Sequence, residues 1–392
     1  MTERLLIVSA DCHAGPLPAQ VRDHVDPSFR DAFDAWLADD EARARRSAEH
    51  TGQNVYGDEA LEDFGALDAV HEGGVDGAWD STRRLSELDA DGIAAEVIYP
   101  GGGGDSISPF DAGLMTYQYD EDPAVWDAGC RAYNRWLADF CNDAPGRRAG
   151  VALVTLDDID ATVREIDSLR DRGLFGGILL PSGTGGNELY NHPRYEPLWA
   201  ACEANGLPVH THSGWTPNYG DFPGSLGIFV TEITWFAHRA FWLLAWSGAF
   251  ERHPGLRMVM TEQGATWVLE TLPQMDGAYG MPMFRHLRRE LRLAPSEYFA
   301  RQCYVSQFLG PDEMKARHRI GVDKLMWGSD YPHIEGTWPH TETRLKEGFA
   351  AVPRAEVAQM VGATALEVYE FDRAVVRDVA ARIGPPVDSV GA

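Results

Sequence analysis

Residues 5–13 read Leu5-Leu6-Ile7-Val8-Ser9-Ala10-Asp11-Cys12-His13, a short apolar run that stops at two groups able to bind a metal. A run of this length, apolar on both faces, is how a strand covered on both sides reads. Seven more runs have the same form, at residues 95–99, 151–156, 177–180, 207–211, 257–261, 304–308 and 324–329. Three of them are followed directly by His212, Glu262 and Asp330.

Helical patterns lie between the runs. Residues 123–142 place Trp126, Cys130, Tyr133, Leu137 and Phe140 three or four apart, behind Asp122 as a cap and Pro123 in the first turn. Residues 158–172 stop at Gly173. Further helices are expected over 81–91, 195–205, 237–250, 265–275, 312–319 and 340–350. Strand followed by helix, eight times over, predicts an α/β protein built as a (β/α)8 TIM barrel. The competing open, doubly wound sheet is disfavoured by the count and by the lack of a glycine fingerprint after the first run.

A bare barrel needs ~250 residues, so roughly 140 of the 392 lie outside it. Long insertions are expected after strands 1, 2 and 5, at 14–80, 101–122 and 213–236. Barrel enzymes keep their sites on that face. The first insertion is acidic, with a weak helix over 27–46. The second opens on Gly101-Gly102-Gly103-Gly104. The third carries Trp215, Tyr219, Phe222, Phe229 and Trp235. They read as lids and pocket walls, or else as surface decoration or a subunit interface. Residues 351–392 read as a helical tail frayed at Pro385-Pro386, and the chain 1–392 as one barrel domain.

Asp and Glu number 60 against 34 Lys and Arg, a net charge of -26. Such a chain repels phosphate backbones and anionic lipid, which excludes a general nucleic-acid binder and a membrane-surface protein. The apolar stretch at 241–250 falls short of the ~18–20 residues of a membrane span. Residues 5–8 are too few for a signal-peptide core. The five cysteines are scattered, with no CxxC pair. A reducing cytoplasm is therefore the expected location.

Asp11, His13, His212, Glu262 and Asp330 stand at strand ends that converge on one mouth. Imidazole nitrogen and carboxylate oxygen suit borderline divalent metals. Asp11 and His13 are two apart and share a face of their strand, as do His210 and His212. His212 is nearer the mouth and is the better ligand. His210 is expected to pack below it or to hydrogen-bond a neighbouring group.

Asp11-Cys12-His13, Leu207-Pro208-Val209-His210-Thr211-His212 and Gly328-Ser329-Asp330-Tyr331-Pro332-His333 together resemble the amidohydrolase-related family. This is the superfamily branch that contains aminocarboxymuconate-semialdehyde decarboxylase and the dihydroxybenzoate decarboxylases. Residues 88–100, 192–199 and 250–256 support the resemblance, which covers 5–13 and 80–350. It implies a distorted barrel with one divalent metal, zinc first and manganese second, held by Asp11, His13, His212 and Asp330. The chain departs from the family at two places. Many members have Glu or His where Asp11 stands. The family often places a substrate-polarising histidine at the end of strand six, where this chain has Glu262. An ionised glutamate only accepts hydrogen bonds. Glu262 is therefore expected to bind the metal, act as a base or hold a proton, unless it turns aside to an arginine or a helix end. Residues 177–181 offer no lysine or glutamate to bridge a second metal.

Hydrolysis ranks first, with a metal-activated water, Asp330 as general base and acid, and Glu262 beside it. The alternative is nonoxidative decarboxylation, which needs a donor near the substrate carboxylate; His238, Arg239 and His333 are the candidates. A non-catalytic metal or ligand-binding protein ranks third. The strip from Trp215 to Trp235 favours a small apolar or aromatic substrate. A homo-oligomer, a dimer, is expected.

Overall fold

The computed structural model describes residues 3–39, 58–113, 122–220 and 222–392. Eight parallel strands pair in chain order: β1 (Val8–Ala14), β2 (Ala95–Pro100), β3 (Arg148–Leu153), β4 (Gly177–Leu179), β5 (Val209–His212), β6 (Met258–Thr261), β7 (Cys303–Gln307) and β8 (Leu325–Trp327). The ring nearly closes where the His13 N–H donates to the Tyr331 carbonyl at 2.7 Å, just past β8. The expected TIM-type barrel is thus the fold. All residues of β1 to β6 are buried, as a sheet clad in helices requires.

The helices start and stop for local reasons. Asp122 accepts from the Ala124 N–H at 2.9 Å and opens helix Pro123–Asn142. Asp158 accepts from the Ala161 N–H at 2.9 Å and opens helix Ile159–Leu169.

Several boundaries differ from the sequence reading. β1 starts later and runs through Asp11 and His13, because the residues before it pair with the chain's other end. The Leu5 N–H donates to the Pro385 carbonyl at 2.8 Å and the Val387 N–H to the Glu3 carbonyl at 2.9 Å. The Pro385-Pro386 segment is therefore tied down rather than frayed: prolines lack an N–H but still accept. Gly384 makes the approach possible, since a Cβ there would stand 2.2 Å from the Leu5 carbonyl oxygen.

β3 begins at Arg148, whose charge masks a strand start. Its guanidinium turns inside, where Nη1 donates to the Phe140 carbonyl at 2.6 Å and the Ser81 hydroxyl at 2.8 Å. Helix Ser225–Ser247 takes in the second half of the expected 213–236 loop. Its first turns bury no face, so no amphipathic period marks them. In the first insertion, a 3-10 turn Pro27–Phe29 and helix Arg30–Ala38 lie where the weak helix was expected. The remainder of that helix, and residues 114–121 of the second insertion, lie outside the described residues. Among the described residues no helix is long and apolar enough to cross a membrane.

A buried ionic cluster braces the outer side of β1 and β2. Arg84 grips Glu96 with two hydrogen bonds of 2.8 and 2.6 Å. Its remaining nitrogen donates to the His13 carbonyl at 2.8 Å and the Gly77 carbonyl at 3.1 Å. Removing one partner of a buried pair strands the other, at a cost of about 3–5 kcal/mol. Arg148 stays 3.3 Å from Glu96, so Arg84→Met is expected at the low end, about 3 kcal/mol. The check is the denaturant midpoint at unchanged slope. A loss below ~1 kcal/mol, the level of an exposed pair, would mean that the cluster does not brace the strand.

Candidate metal centre

Four elements bring the ligand-type side chains together. β1 carries Asp11 and His13, β5 ends on His212, Glu262 follows β6 directly, and Asp330 is the third residue past β8. Asp330 and Glu262 adopt left-handed backbone, with φ of 61° and 55°. The kinks are pinned: the Asp330 N–H donates to the Asp11 carbonyl, and the Glu262 N–H to the Ser306 carbonyl, both at 2.8 Å.

Within the mouth, His13 Nε2 lies 3.1 Å from Asp330 Oδ1 and 3.6 Å from Asp11 Oδ1. His212 Nε2 lies 3.3 Å from Asp11 Oδ1. Asp11, His13 and His212 form one group whose donor atoms converge, and His13, Asp330 and His333 form another. His333 was only one of several candidate donors in the sequence. Its Nδ1 is 3.0 Å from Asp330 Oδ1 and its ring stacks on His13 at 4.2 Å.

The donor set fits a divalent cation. Asp11 Oδ2, His13 Nε2 and Asp330 Oδ2 are buried and lack hydrogen-bond partners. Buried carboxylate oxygens left bare are costly, and a cation would engage all three atoms. The opposite ring nitrogens are occupied by carbonyls: His13 Nδ1 at 2.9 Å from Pro100 and His212 Nδ1 at 2.6 Å from Ser213. Those contacts place the proton on Nδ1 and the lone pair on Nε2, facing the carboxylates.

Charge in the mouth follows from burial and neighbours. Burial raises the Asp330 pKa, but His333 and His13 outweigh it and hold the carboxyl below the usual range. Burial opposes charge on His212, yet Asp11 beside it lifts the pKa to about 9. His333 is lifted to about 10, Asp330 prevailing over burial. Glu262 is pushed up to about 8, by burial first and then by Asp330 and Asp11, although His212 opposes this. Its Oε2 lies 3.3 Å from His212 Nδ1, and its side chain is 31% exposed at the mouth.

The remaining candidates sit elsewhere. His210 Nε2 donates to the Gly176 carbonyl at 2.8 Å, and Nδ1 is 2.7 Å from the Tyr99 hydroxyl. Burial lowers its pKa to about 3, so it is a neutral strut. Tyr99, which bridges His210 and Thr261 across the barrel, was missed in the sequence; its place on the strand before Pro100 was the one available signal. His238 stacks on Trp267 at 4.5 Å, and burial lowers its pKa to about 4. Trp215 packs edge-on against Phe236 at 5.2 Å. Arg239 lies over the Trp235 ring at 5.6 Å.

Residues 10–371 match the amidohydrolase family. The chain belongs to that family. It is 28% identical over 223 residues to the gamma-resorcylate decarboxylase of Rhodococcus jostii; the match takes in 52% of this chain and 65% of the relative, just under two thirds of its length. An amidohydrolase of Mycobacterium avium subsp. paratuberculosis shares the fold with a TM-score of 0.68 at 18% identity, over 94% of this chain and 99% of that one. A 5-carboxyvanillate decarboxylase of Novosphingobium aromaticivorans, solved with manganese and a nitrobenzoic acid, gives 0.67 at 17% identity, over 94% and 97%.

Two variants on one strand test which histidine is a ligand and which a strut. His212→Ala is expected to lose most of the bound metal and His210→Ala to keep it while losing stability, because Gly176 and Tyr99 lose their partner. Elemental analysis and thermal melts read the two effects. Equal metal loss would place both histidines on the ion, and two ions per chain would contradict a single shared centre.

Proposed function

We propose that the chain is a metal-dependent carboxy-lyase that removes CO2 from a small aromatic acid bearing a hydroxyl next to its carboxylate. The hydrolase reading that the sequence put first gives way to its alternative. The observation that carries the change is the 28% identity to gamma-resorcylate decarboxylase, in a chain whose mouth offers the His and Asp cluster described above.

Asp11, His13, His212 and Asp330 would hold the cation. Bound there, a divalent ion supplies positive charge to the substrate's carboxylate and hydroxyl oxygens. Manganese or zinc suits the donors, and the manganese-bound relative favours manganese. The chain's own residues carry the proton. Asp330 is ionised at rest and takes the proton of the adjacent hydroxyl, leaving a phenolate. It then delivers that proton to the ring carbon bearing the carboxylate. The ring becomes a dienone, the bond to the carboxylate breaks, and its electron pair restores the aromatic phenolate as CO2 leaves. The phenolate takes a proton from solvent on release. His333 positions the Asp330 carboxylate for this work, its Nδ1 lying 3.0 Å from Oδ1. Glu262 borders the same space beside His212, its Oε2 3.3 Å from Nδ1. Trp215 and Phe236 are candidate apolar walls.

The test is the metal-loaded protein against a panel of hydroxybenzoic acids, gamma-resorcylate and 5-carboxyvanillate among them, with CO2 and the decarboxylated phenol measured together. Asp330→Asn is expected to retain much of the metal and lose at least ~100-fold in turnover. Glu262→Gln is expected to be milder. Turnover of ester or amide substrates without CO2 from any acid would return the chain to the hydrolase reading.

A further inference from the structure

β2 supplies no ligand-type side chain to the mouth, yet its last two residues, Tyr99 and Pro100, meet two that do. The Pro100 carbonyl lies 2.9 Å from His13 Nδ1. The Tyr99 ring lies 4.9 Å from the His212 ring and 6.0 Å from the His13 ring, tilted by 56° and 41°. The two imidazoles are themselves 4.9 Å apart, edge to face. All three side chains are buried, so the rings pack against one another inside the barrel.

A single carbonyl at Nδ1 does not fix an imidazole. The ring can still swing about that hydrogen bond, and Nε2, on its far side, moves most. A further contact on the ring is needed to hold a ligand within the ~0.5 Å and about 10–20° that a site demands. Tyr99 gives that contact to His212 and, at longer range, to His13. Its hydroxyl is held in turn, 2.7 Å from His210 Nδ1 and 2.8 Å from Thr261 Oγ1. His210 Nε2 donates to the Gly176 carbonyl at 2.8 Å, and in a neutral ring Nδ1 is then left to accept. The phenol therefore donates to His210 and accepts from Thr261. These bonds join β2 to β5 and β6 and end on the residue before β4.

We propose that Tyr99 is a positioning residue for the metal centre: its ring backs the imidazoles of His212 and His13, and its hydroxyl, held by His210 and Thr261, keeps the ring in place. The inference rests on the metal reading above and extends it to a strand that offers no ligand. It also explains why His210 shares a strand face with His212, since His210 holds the ring that His212 packs on. Removing such an outer partner costs about 10–100-fold in metal affinity.

Chelator competition on the full-length, cobalt-loaded protein reads affinity, and the visible absorption of the bound ion reads coordination geometry. Tyr99→Phe keeps the ring and loses the hydroxyl, and is expected to hold cobalt ~10-fold more weakly. Tyr99→Leu loses the ring, and is expected to hold it ~100-fold more weakly, with the absorption bands shifted at saturating metal. Val376→Ala, in the buried face of helix Arg373–Ile383, is the control: it is expected to lower the melting temperature and leave affinity and spectrum at wild type. Thr261 still holds the hydroxyl in His210→Ala, in keeping with the metal expected there. A folded Tyr99→Phe with wild-type affinity and spectrum would overturn the inference, as would a Tyr99→Leu that binds as tightly as Val376→Ala. Should Tyr99→Leu not fold, Tyr99→Phe alone decides. A wild type that takes up no cobalt would overturn the metal reading itself, and this inference with it.

Discussion

The mouth of this barrel is short of positive charge. Asp11 and Asp330 have fully buried side chains, and each keeps a carboxylate oxygen without a partner. Ion burial carries an effective penalty of several kcal/mol per charge unless opposite charge and hydrogen bonds answer it. His13, His212 and His333 answer part of it, but only as protonated rings, and the carbonyls at their Nδ1 atoms suit His13 and His212 to offer lone pairs instead. A divalent ion would resolve the conflict, since it suits those lone pairs and would neutralise the carboxylates together.

The Glu96 cluster shows what a self-sufficient solution looks like in the same strands. There one buried carboxylate has both oxygens filled by Arg84, with Arg148 close by. Both Glu96 oxygens are met by protein donors. Arg84 also holds the His13 carbonyl, so the closed cluster on the outside of β1 steadies the open one on the inside. The two clusters divide the work, the outer one fixing where the strand lies and the inner one left short of positive charge.

What the sequence made legible follows the same division. Eight strands could be counted because burial on both faces writes itself as an apolar run. Asp11, His13, His212 and Asp330 could be placed because residues at strand ends share one mouth by construction. Features set by tertiary partners were hidden. Arg148 fell outside the expected strand 151–156 because its carboxylate partner, Glu96, is distant in sequence. The early start of helix Ser225–Ser247 was hidden because turns that bury no face leave no period. His333 joined the cluster through a turn that spacing alone does not fix: its N–H bonds back to the Asp330 carbonyl at 2.8 Å, folding its ring onto His13.

The strand ends separate architecture from chemistry. Left-handed backbone at a non-glycine residue costs about 1–2 kcal/mol, and it occurs at Glu262, Leu309 and Asp330, just beyond β6, β7 and β8. Leu309 is buried and has no chemistry to offer, yet its backbone turns as the other two do. The kink therefore belongs to how this barrel ends its strands and is not itself a sign of function. What distinguishes Glu262 and Asp330 is that a kink the fold already tolerates turns a carboxylate into a space where charge is short. Glu262 stands where the resemblance implies a histidine, and the kink aims its carboxyl at the mouth. With its pKa pushed up to about 8, that carboxyl holds a proton near neutral pH and can donate where the ionised Asp330 only accepts.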